Sequence, residues 1–156
     1  MSTYTVKQLT ALTILYSALT FGQFNFDRYE SARLDTLSFF PTHLLNDSVY
    51  FIVLDTNMPL KSEVVYKDSI RPIDNITKEV ITDWMTEVIM DSSSVDLFKH
   101  ELLVYQNKVP LWIPVQEQLI PFFKEELIKN DVINIYVTVA GATKYRVIFT
   151  INEFTK

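Results

Sequence analysis

The sequence predicts a single α+β domain, with two amphipathic helices packed on a mainly antiparallel sheet. Apolar residues recur every three or four positions over 76–90 and over 115–128, the period of a helix with one buried face. Apolar and polar residues alternate over 132–140 and 145–151, which is typical of a half-buried hairpin. With 156 residues and 48% hydrophobic side chains, the chain can form one packed core. The fold is thus expected to end in a C-terminal helix followed by a β-hairpin.

Residues 1–22 have the pattern of a signal peptide, and we expect residues 23–156 to form the folded domain. Lys7 precedes a short apolar run, and Thr20 and Gly22 supply the small side chains that a signal peptidase requires before its cut. An amphipathic core helix and a membrane anchor are the alternatives, the anchor needing about 20 apolar residues. The pattern predicts export to the periplasm, the outer envelope or the extracellular space, with no stable membrane span in the mature chain.

The composition excludes several classes of function. The chain has 14 basic and 19 acidic residues, a net charge of −5, and phosphate binding needs clustered positive charge, so we expect no nucleic-acid partner. Two glycines are too few for the glycine-rich motifs that bind nucleotides or shape a hydrolase nucleophile. The absence of cysteine excludes disulfides, thiolate metal sites and cysteine nucleophiles.

The sequence pattern in the first half of the domain predicts two strands before the first helix. Val49–Leu54 is apolar at every position, which indicates a central strand buried on both faces. Residues 63–66 form a second apolar-rich run before Pro72. The lead-in over 23–48 mixes aromatic and charged residues without a clear period, so we expect it to be ordered but irregular.

A first hairpin is predicted in the second half. Residues 101–105 and 109–113 are apolar-rich runs on either side of a tight turn at Asn107. Pro110 cannot donate a backbone hydrogen bond and therefore favours an edge position.

The second helix and the last hairpin follow. Pro114 suits the first turn of the helix over 115–128, and at Pro121 we expect either a kink in that helix or two short helices that meet there. Residues 141–144, which include Gly141, are expected to form the turn of the C-terminal hairpin.

The C-terminal third resembles a group of small exported proteins of the Bacteroidota. The likeness covers roughly residues 101–154 and lies in Leu111–Glu117 (LWIPVQE), Leu119–Pro121, Phe123, Glu126–Leu127, Ile135–Val137, Gly141 and Asn152–Phe154 (NEF). At Asn130-Asp131 the chain departs from the Gly-Asp turn expected in such relatives. Three Asp-[Ser/Thr]-apolar triplets, at 35–37, 47–49 and 68–70, are similar to the O-glycosylation acceptor of exported proteins in that group. Because these relatives are uncharacterised, the resemblance implies compartment and architecture but no activity.

The sequence offers no catalytic residue, metal site or cofactor site. His43 and His100 are the only histidines, and neither has a ligand or carboxylate at the spacing of a known zinc or acid–base motif. Asp91 and Asp96 bracket a serine run that lacks the central glycine and terminal glutamate of a calcium-binding loop. We therefore expect a protein that is not an enzyme.

The outward face of the C-terminal hairpin is the predicted binding surface. Strand parity places Tyr136 and Ile148 on the face opposite Val137 and Phe149, with Arg146 at its margin. A wider set of aromatic side chains can form a stacking platform or pack in the core: Trp84, Tyr105, Trp112, Tyr136 and Tyr145.

The function expected from the sequence is that of an exported, non-catalytic interaction or structural module. Its partner is an unidentified protein or glycan, and it uses no cofactor. A small secreted hydrolase or metal-dependent enzyme is one alternative, because carboxylates that are distant in the chain can meet in the fold. An accessory for envelope folding or secretion is another.

Overall fold

A computed structural model describes residues 24–38, 45, 51–53 and 58–156 of the chain. The strands of this part are β1 (Glu30–Ser31), β2 (Phe51–Val53), β3 (Pro59–Pro72), β4 (His100–Gln106), β5 (Val109–Val115), β6 (Val132–Thr143) and β7 (Val147–Thr155). They lie in the order β1-β3-β4-β5-β7-β6-β2, and a further pairing of β3 with β6 closes the middle five into a barrel. The predicted signal peptide lies outside the described residues.

The predicted α+β fold class is wrong. The protein is mainly a closed five-stranded β-barrel, and its short helices do not form a layer on an open sheet. Alternation of apolar residues is the same in an open sheet and in a barrel, because it reports only which face of a strand is buried. Closure depends on β3 pairing with β6 and β5 pairing with β7, between segments that are far apart in the chain.

β3 is the strand that closes the barrel. Its first half, from Pro59 to Val65, pairs with β6, and from Val65 onward it pairs with β4. A bulge lies between Tyr66 and Ile70, and within it Asp68 has a φ of 53°. Because a bulge bends its strand and increases the local twist, one continuous strand can serve both neighbours.

In the described part of the chain, short α-helices accompany the barrel: α1 (Leu34–Leu37), α2 (Asn75–Asp83) and α3 (Ile120–Glu126). α2 continues into a π-helical turn, Trp84–Val88, and its apolar side packs on Ala140 and Ile148 at the outer wall of the barrel. α3 places Phe123 in the barrel core. Short 3-10 helices lie at Phe26–Arg28, Ser92–Leu97 and Glu117–Leu119.

The barrel resembles the OB-fold, a five-stranded Greek-key barrel. Its strands follow the order β3-β4-β5-β7-β6 and return to β3, and β5 and β7 are parallel. α3 lies in the chain between β5 and β6, and α2 is inserted between β3 and β4. The resemblance concerns architecture alone, since one fold carries many functions.

Three predicted element positions are also wrong. β2 is an edge strand of the described sheet rather than a central one. Phe51 and Val53 pack on the cluster beneath α2, whereas Ile52 packs on the barrel core. Residues on both faces of this strand are therefore apolar. Pro114 lies inside β5 instead of opening a helix. Gly141 lies inside β6 instead of forming a turn.

The first predicted hairpin is present and anchors the N-terminal segment. β4 and β5 flank a two-residue turn in which Asn107 and Lys108 have φ values of 49° and 68°, as a type I′ turn requires. Asp35 accepts hydrogen bonds from Arg33 and from Asn107, which in that order lower the pKa of Asp35 to about 2. The Asp35 N–H also donates to the Gln106 side chain at 3.0 Å, so α1 is held to the end of this hairpin.

The neighbouring residues Phe122 and Phe123 provide a matched test of the α3 packing. Phe123 is fully buried and stacks on Phe154 with ring centroids 4.1 Å apart, whereas Phe122 is 50% exposed. We expect Phe123→Ala to lower the free energy of unfolding by about 3–5 kcal/mol through the cavity it leaves, and Phe122→Ala to change it by about 0.5 kcal/mol or less. Urea denaturation measures both, and equal midpoints at constant slope would contradict this packing.

Gly141 is required by close packing rather than by a turn. A Cβ built on Gly141 would lie 2.3 Å from the Ile52 carbonyl oxygen and 2.7 Å from Cγ1 of Val80. Because the nearer atom belongs to the backbone of β2, Gly141→Ala should displace that strand and lower the free energy of unfolding by about 1–3 kcal/mol. An unchanged denaturation midpoint would show that β2 moves away from Gly141 at no cost.

Candidate binding cleft

A cleft lies where β5 and β7 diverge. The two strands are paired in register only at Val115 and Ile151, and the cleft, of about 420 Å³, opens beside the preceding residues of both strands. The Val147 N–H donates to the Ser38 carbonyl at 2.9 Å, so the end of α1 occupies part of the gap. The lining residues are Ser38, Arg71, Asp74, Ile76, Thr77, Pro110, Leu111, Trp112, Ile113, Thr143, Tyr145, Arg146, Val147 and Phe149.

The edge of β5 that faces this gap is protected against further strand pairing. Arg146 Nη1 donates to the Trp112 carbonyl at 2.9 Å, which shows that the backbone groups of Trp112 face away from β4. Pro110 and Pro114 lie two positions to either side and have the same orientation, so neither contributes an N–H donor there. Prolines and charged side chains commonly prevent an exposed strand edge from pairing with a strand of another chain.

A buried carboxylate lies beneath the cleft. Glu101 is 1% exposed, and its two oxygens accept hydrogen bonds from Arg71 Nε at 2.6 Å and from Arg146 Nη2 at 2.8 Å. The Arg71 guanidinium also lies over the Trp112 ring, 4.0 Å from its centroid. Because a buried charge needs partners of opposite charge and satisfied hydrogen bonds, this network fixes both arginines against β4 and β5.

Arg146 extends the network to the start of α2. Its Nη2 donates to Thr77 Oγ1 at 2.9 Å and lies 3.3 Å from Asp74 Oδ2. Asp74 caps the helix by accepting the Thr77 N–H at 2.7 Å. Burial raises the pKa of Asp74, but the hydrogen bonds from Thr77 and the charges of Arg146 and Arg71 outweigh it, so that pKa lies below its ordinary value.

Exposed apolar side chains form the rim of the cleft. Tyr145 is 68% exposed, and Ile76 and Pro110 are also exposed. Exposed apolar side chains around a concave site with a few fixed polar groups are typical of a ligand-binding pocket, and a cleft of this size matches small-molecule sites. The geometry therefore suits binding of a small group rather than a flat contact.

Of the three predicted binding residues, the structure places one in this cleft. Arg146 lines it, whereas Tyr136 and Ile148 are only 4% and 1% exposed, so the predicted exposed face is wrong. Both side chains do point outward from the barrel, as parity predicts. They are also far apart: Tyr136 is paired with Glu153, five residues from Ile148 along β7, or about 16 Å.

Different parts of the chain cover these two side chains. The rings of Phe24, Phe26 and Tyr29 surround Tyr136, with ring centroids 4.8 to 5.7 Å from it. Ile148 packs beneath α2. The irregular lead-in and α2 thus supply the cover, and their docking positions are set by tertiary contacts that parity does not report.

The aromatic residues of the predicted stacking platform also lie in different parts of the structure. Trp112 and Tyr145 line the cleft, whereas Trp84 is buried with Ile148 against the outer wall of the barrel. Tyr105 lies under the Lys67 ammonium group, 4.8 Å from the ring centroid.

Arg71 is a cleft residue that the sequence did not predict, because a lone arginine before Pro72 gives no sequence signal. Only the pairing of β3 with β4 brings it beside Glu101.

The remaining candidates from the sequence do not join the cleft. His100 Nδ1 lies 2.8 Å from Glu117 Oε1 in a surface pair, and His43 lies outside the described residues. Among the residues that the structure describes, no group of three or more histidine, aspartate or glutamate side chains is arranged to hold a metal ion. No helix in that same part is long and apolar enough to cross a bilayer.

Comparison with known proteins assigns no family. No protein-family model matches the chain, and none of the curated proteins matches it significantly. The geometry of the cleft therefore carries the functional conclusion.

Arg146 should be needed for stability. Arg146→Gln removes one of the two cations that hold Glu101, so we expect the free energy of unfolding to fall by about 2–4 kcal/mol. Arg28→Gln is the matched control, because Arg28 lies exposed over the Tyr29 ring outside the cleft, and should change it by about 0.5 kcal/mol or less. Chemical denaturation compares the two, and similar small losses would mean that Arg71 alone suffices for Glu101.

Proposed function

We propose that the protein is an exported, non-catalytic binding module whose contact site is the cleft between β5 and β7. The observation that carries this proposal is a concave site at a divergence of two strands, with exposed Tyr145 and Ile76 at its rim and a rigid arginine pair at its wall. Export is supported by the signal-like residues 1–22 and by the resemblance to exported Bacteroidota proteins.

The position of the cleft within the barrel supports a binding role. OB-folds bind oligonucleotides and oligosaccharides on the face of their second and third strands and with the loops after their first and fourth strands. Here the third barrel strand is β5, and the cleft also takes residues from the segment after β3 and from the turn before β7. This support is an analogy between folds, and the side chains decide the ligand.

The polar groups of the cleft favour binding over chemistry. Glu101 is paired with two arginines, and Asp74 is committed to Thr77 and Arg146. A general base or nucleophile needs a lone pair free to approach a substrate. Glu101 is paired and buried, so it is a poor candidate for either role, and the rim around it is apolar.

The charges of the cleft do not favour nucleic acid. Arg71 and Arg146 are balanced by Glu101 and Asp74. Tracking a phosphate backbone requires a run of positive charge, and the whole chain carries −5. A protein, peptide or glycan group is therefore the better match.

The proposal predicts that partner binding depends on the cleft rim. We expect the tagged protein to isolate specific partners from the envelope of its native cell, as identified by mass spectrometry, and Tyr145→Ala with Ile76→Ser to lose most of them. Both side chains are exposed, so these changes should leave the denaturation midpoint nearly unchanged.

The matched control replaces exposed apolar residues in α3 and just after it. Phe122→Ala with Ile128→Ser makes the same kinds of change outside the cleft and should retain the partners. If both double variants lose the same partners, the contact is a general apolar one and the cleft is not the site. Turnover of a substrate by the wild type, lost in the cleft variant, would favour the hydrolase alternative.

A further inference from the structure

Arg71 and Arg146 differ in the donors that remain free. Arg146 uses Nη1 for Trp112 and Nη2 for Thr77, Glu101 and Asp74. Arg71 uses Nε for Glu101, and no group in the described part of the chain accepts a hydrogen bond from either of its Nη groups. Its side chain is half exposed at the wall of the cleft, so these donors are accessible.

The Arg71 guanidinium is held in one orientation. Its Nε is fixed by Glu101 at 2.6 Å, and its plane lies over the Trp112 ring with the central carbon 4.0 Å from the ring centroid. A guanidinium fixed in this way presents its Nη groups as a planar set of donors. That arrangement matches the two oxygens of a carboxylate, and little side-chain entropy remains to be lost on binding.

The charge and size of the cleft restrict the ligand. Two arginines and two carboxylates sum to zero, so the site does not favour a polyanion. A cleft of about 420 Å³ holds one small group, and its rim offers Tyr145, Ile76 and Pro110 for apolar contact. A single carboxylate attached to an apolar or aromatic body satisfies both the free donors and the rim.

We propose that the cleft binds such a carboxylate, with its oxygens on Arg71 and its apolar body against Ile76 and Tyr145. This inference rests on the proposed function and names the ligand class of the same site. The carboxylate belongs either to a free organic acid or to the C-terminus of a peptide with an apolar last residue. Both sources present the same chemistry to Arg71.

The test is a titration of the ¹⁵N-labelled full chain, followed through the Trp112 indole and backbone N–H signals. The probes are 3-phenylpropionate, the dipeptide N-acetyl-alanyl-phenylalanine, and the neutral amide of each. We expect the acids to bind saturably and the amides to bind roughly tenfold more weakly, because a charged hydrogen-bonded pair is lost. Tighter binding of the dipeptide identifies a peptide C-terminus as the source, and tighter binding of phenylpropionate a free acid.

Variants of Arg71 link the binding to the proposed contact. Arg71→Gln should lower the affinity for the acids roughly tenfold and leave the affinity for the amides unchanged. Arg71→Lys should recover only part of that loss, because lysine keeps the positive charge but lacks the two parallel N–H donors of a guanidinium. Arg28→Gln should have no effect. Denaturation midpoints establish that each variant is folded, and Arg71→Lys serves as the test if Arg71→Gln unfolds.

The inference is overturned if acids and amides bind equally, if no probe saturates, or if neither Arg71 variant changes affinity. Its failure is distinguishable from that of the proposed function. If no carboxylate binds but the Tyr145 and Ile76 double variant still loses its envelope partners, the cleft is a contact site with another ligand class. If that variant keeps all its partners, the proposed function fails with it.

Discussion

The closed barrel results from a single strand, β3, that pairs with two different strands along its length. β3 pairs with β6 up to Val65 and with β4 from there on, and the bulge between Tyr66 and Ile70 provides the bend. The backbone of Tyr66 is tied to the loop before β6, through Asn130 and Asp131 at 2.8 and 2.9 Å. Because one bent strand joins both halves, the sheet closes and encloses a single core.

Closure leaves a convex outer wall whose apolar side chains need separate cover. The lead-in supplies Phe24, Phe26 and Tyr29 over Tyr136, and α2 covers Ile148 and Ala140. The same close approach explains why residue 141 is glycine, since β2 and α2 leave no room for a Cβ. Elements that look peripheral in the sequence are therefore needed to bury the outside of the barrel.

The barrel is least complete between β5 and β7, and this is where the cleft forms. A single registered pair joins the two strands, so backbone groups on the open edge of β5 need other partners. Arg146 satisfies the Trp112 carbonyl, and Pro110 and Pro114 remove two donors that would otherwise lack a partner strand. An edge blunted in this way resists aggregation and still leaves a concave surface open to a ligand.

The buried Glu101 connects stability to the proposed binding. A carboxylate that is almost inaccessible to water needs partners of opposite charge, and Glu101 holds both arginines in place in return. Arg146 donates from both of its Nη groups, whereas the Nη groups of Arg71, at the wall of the cleft, have no acceptor in the described part of the chain. Preorganisation of this kind is what allows one side chain to recognise a planar anion with useful affinity.

Local sequence patterns were enough to predict the helix that begins near residue 75, the hairpin with its turn at Asn107, and the inward and outward alternation of β6 and β7. They also indicated that Tyr136 and Ile148 point away from the core. Only the tertiary structure shows that the sheet closes and that Tyr136 and Ile148 are covered. It also brings Arg71, Glu101 and Arg146 together beside Trp112. The physical reason is that periodicity records which face of an element is buried, whereas closure and the cleft depend on pairings between segments distant in the chain.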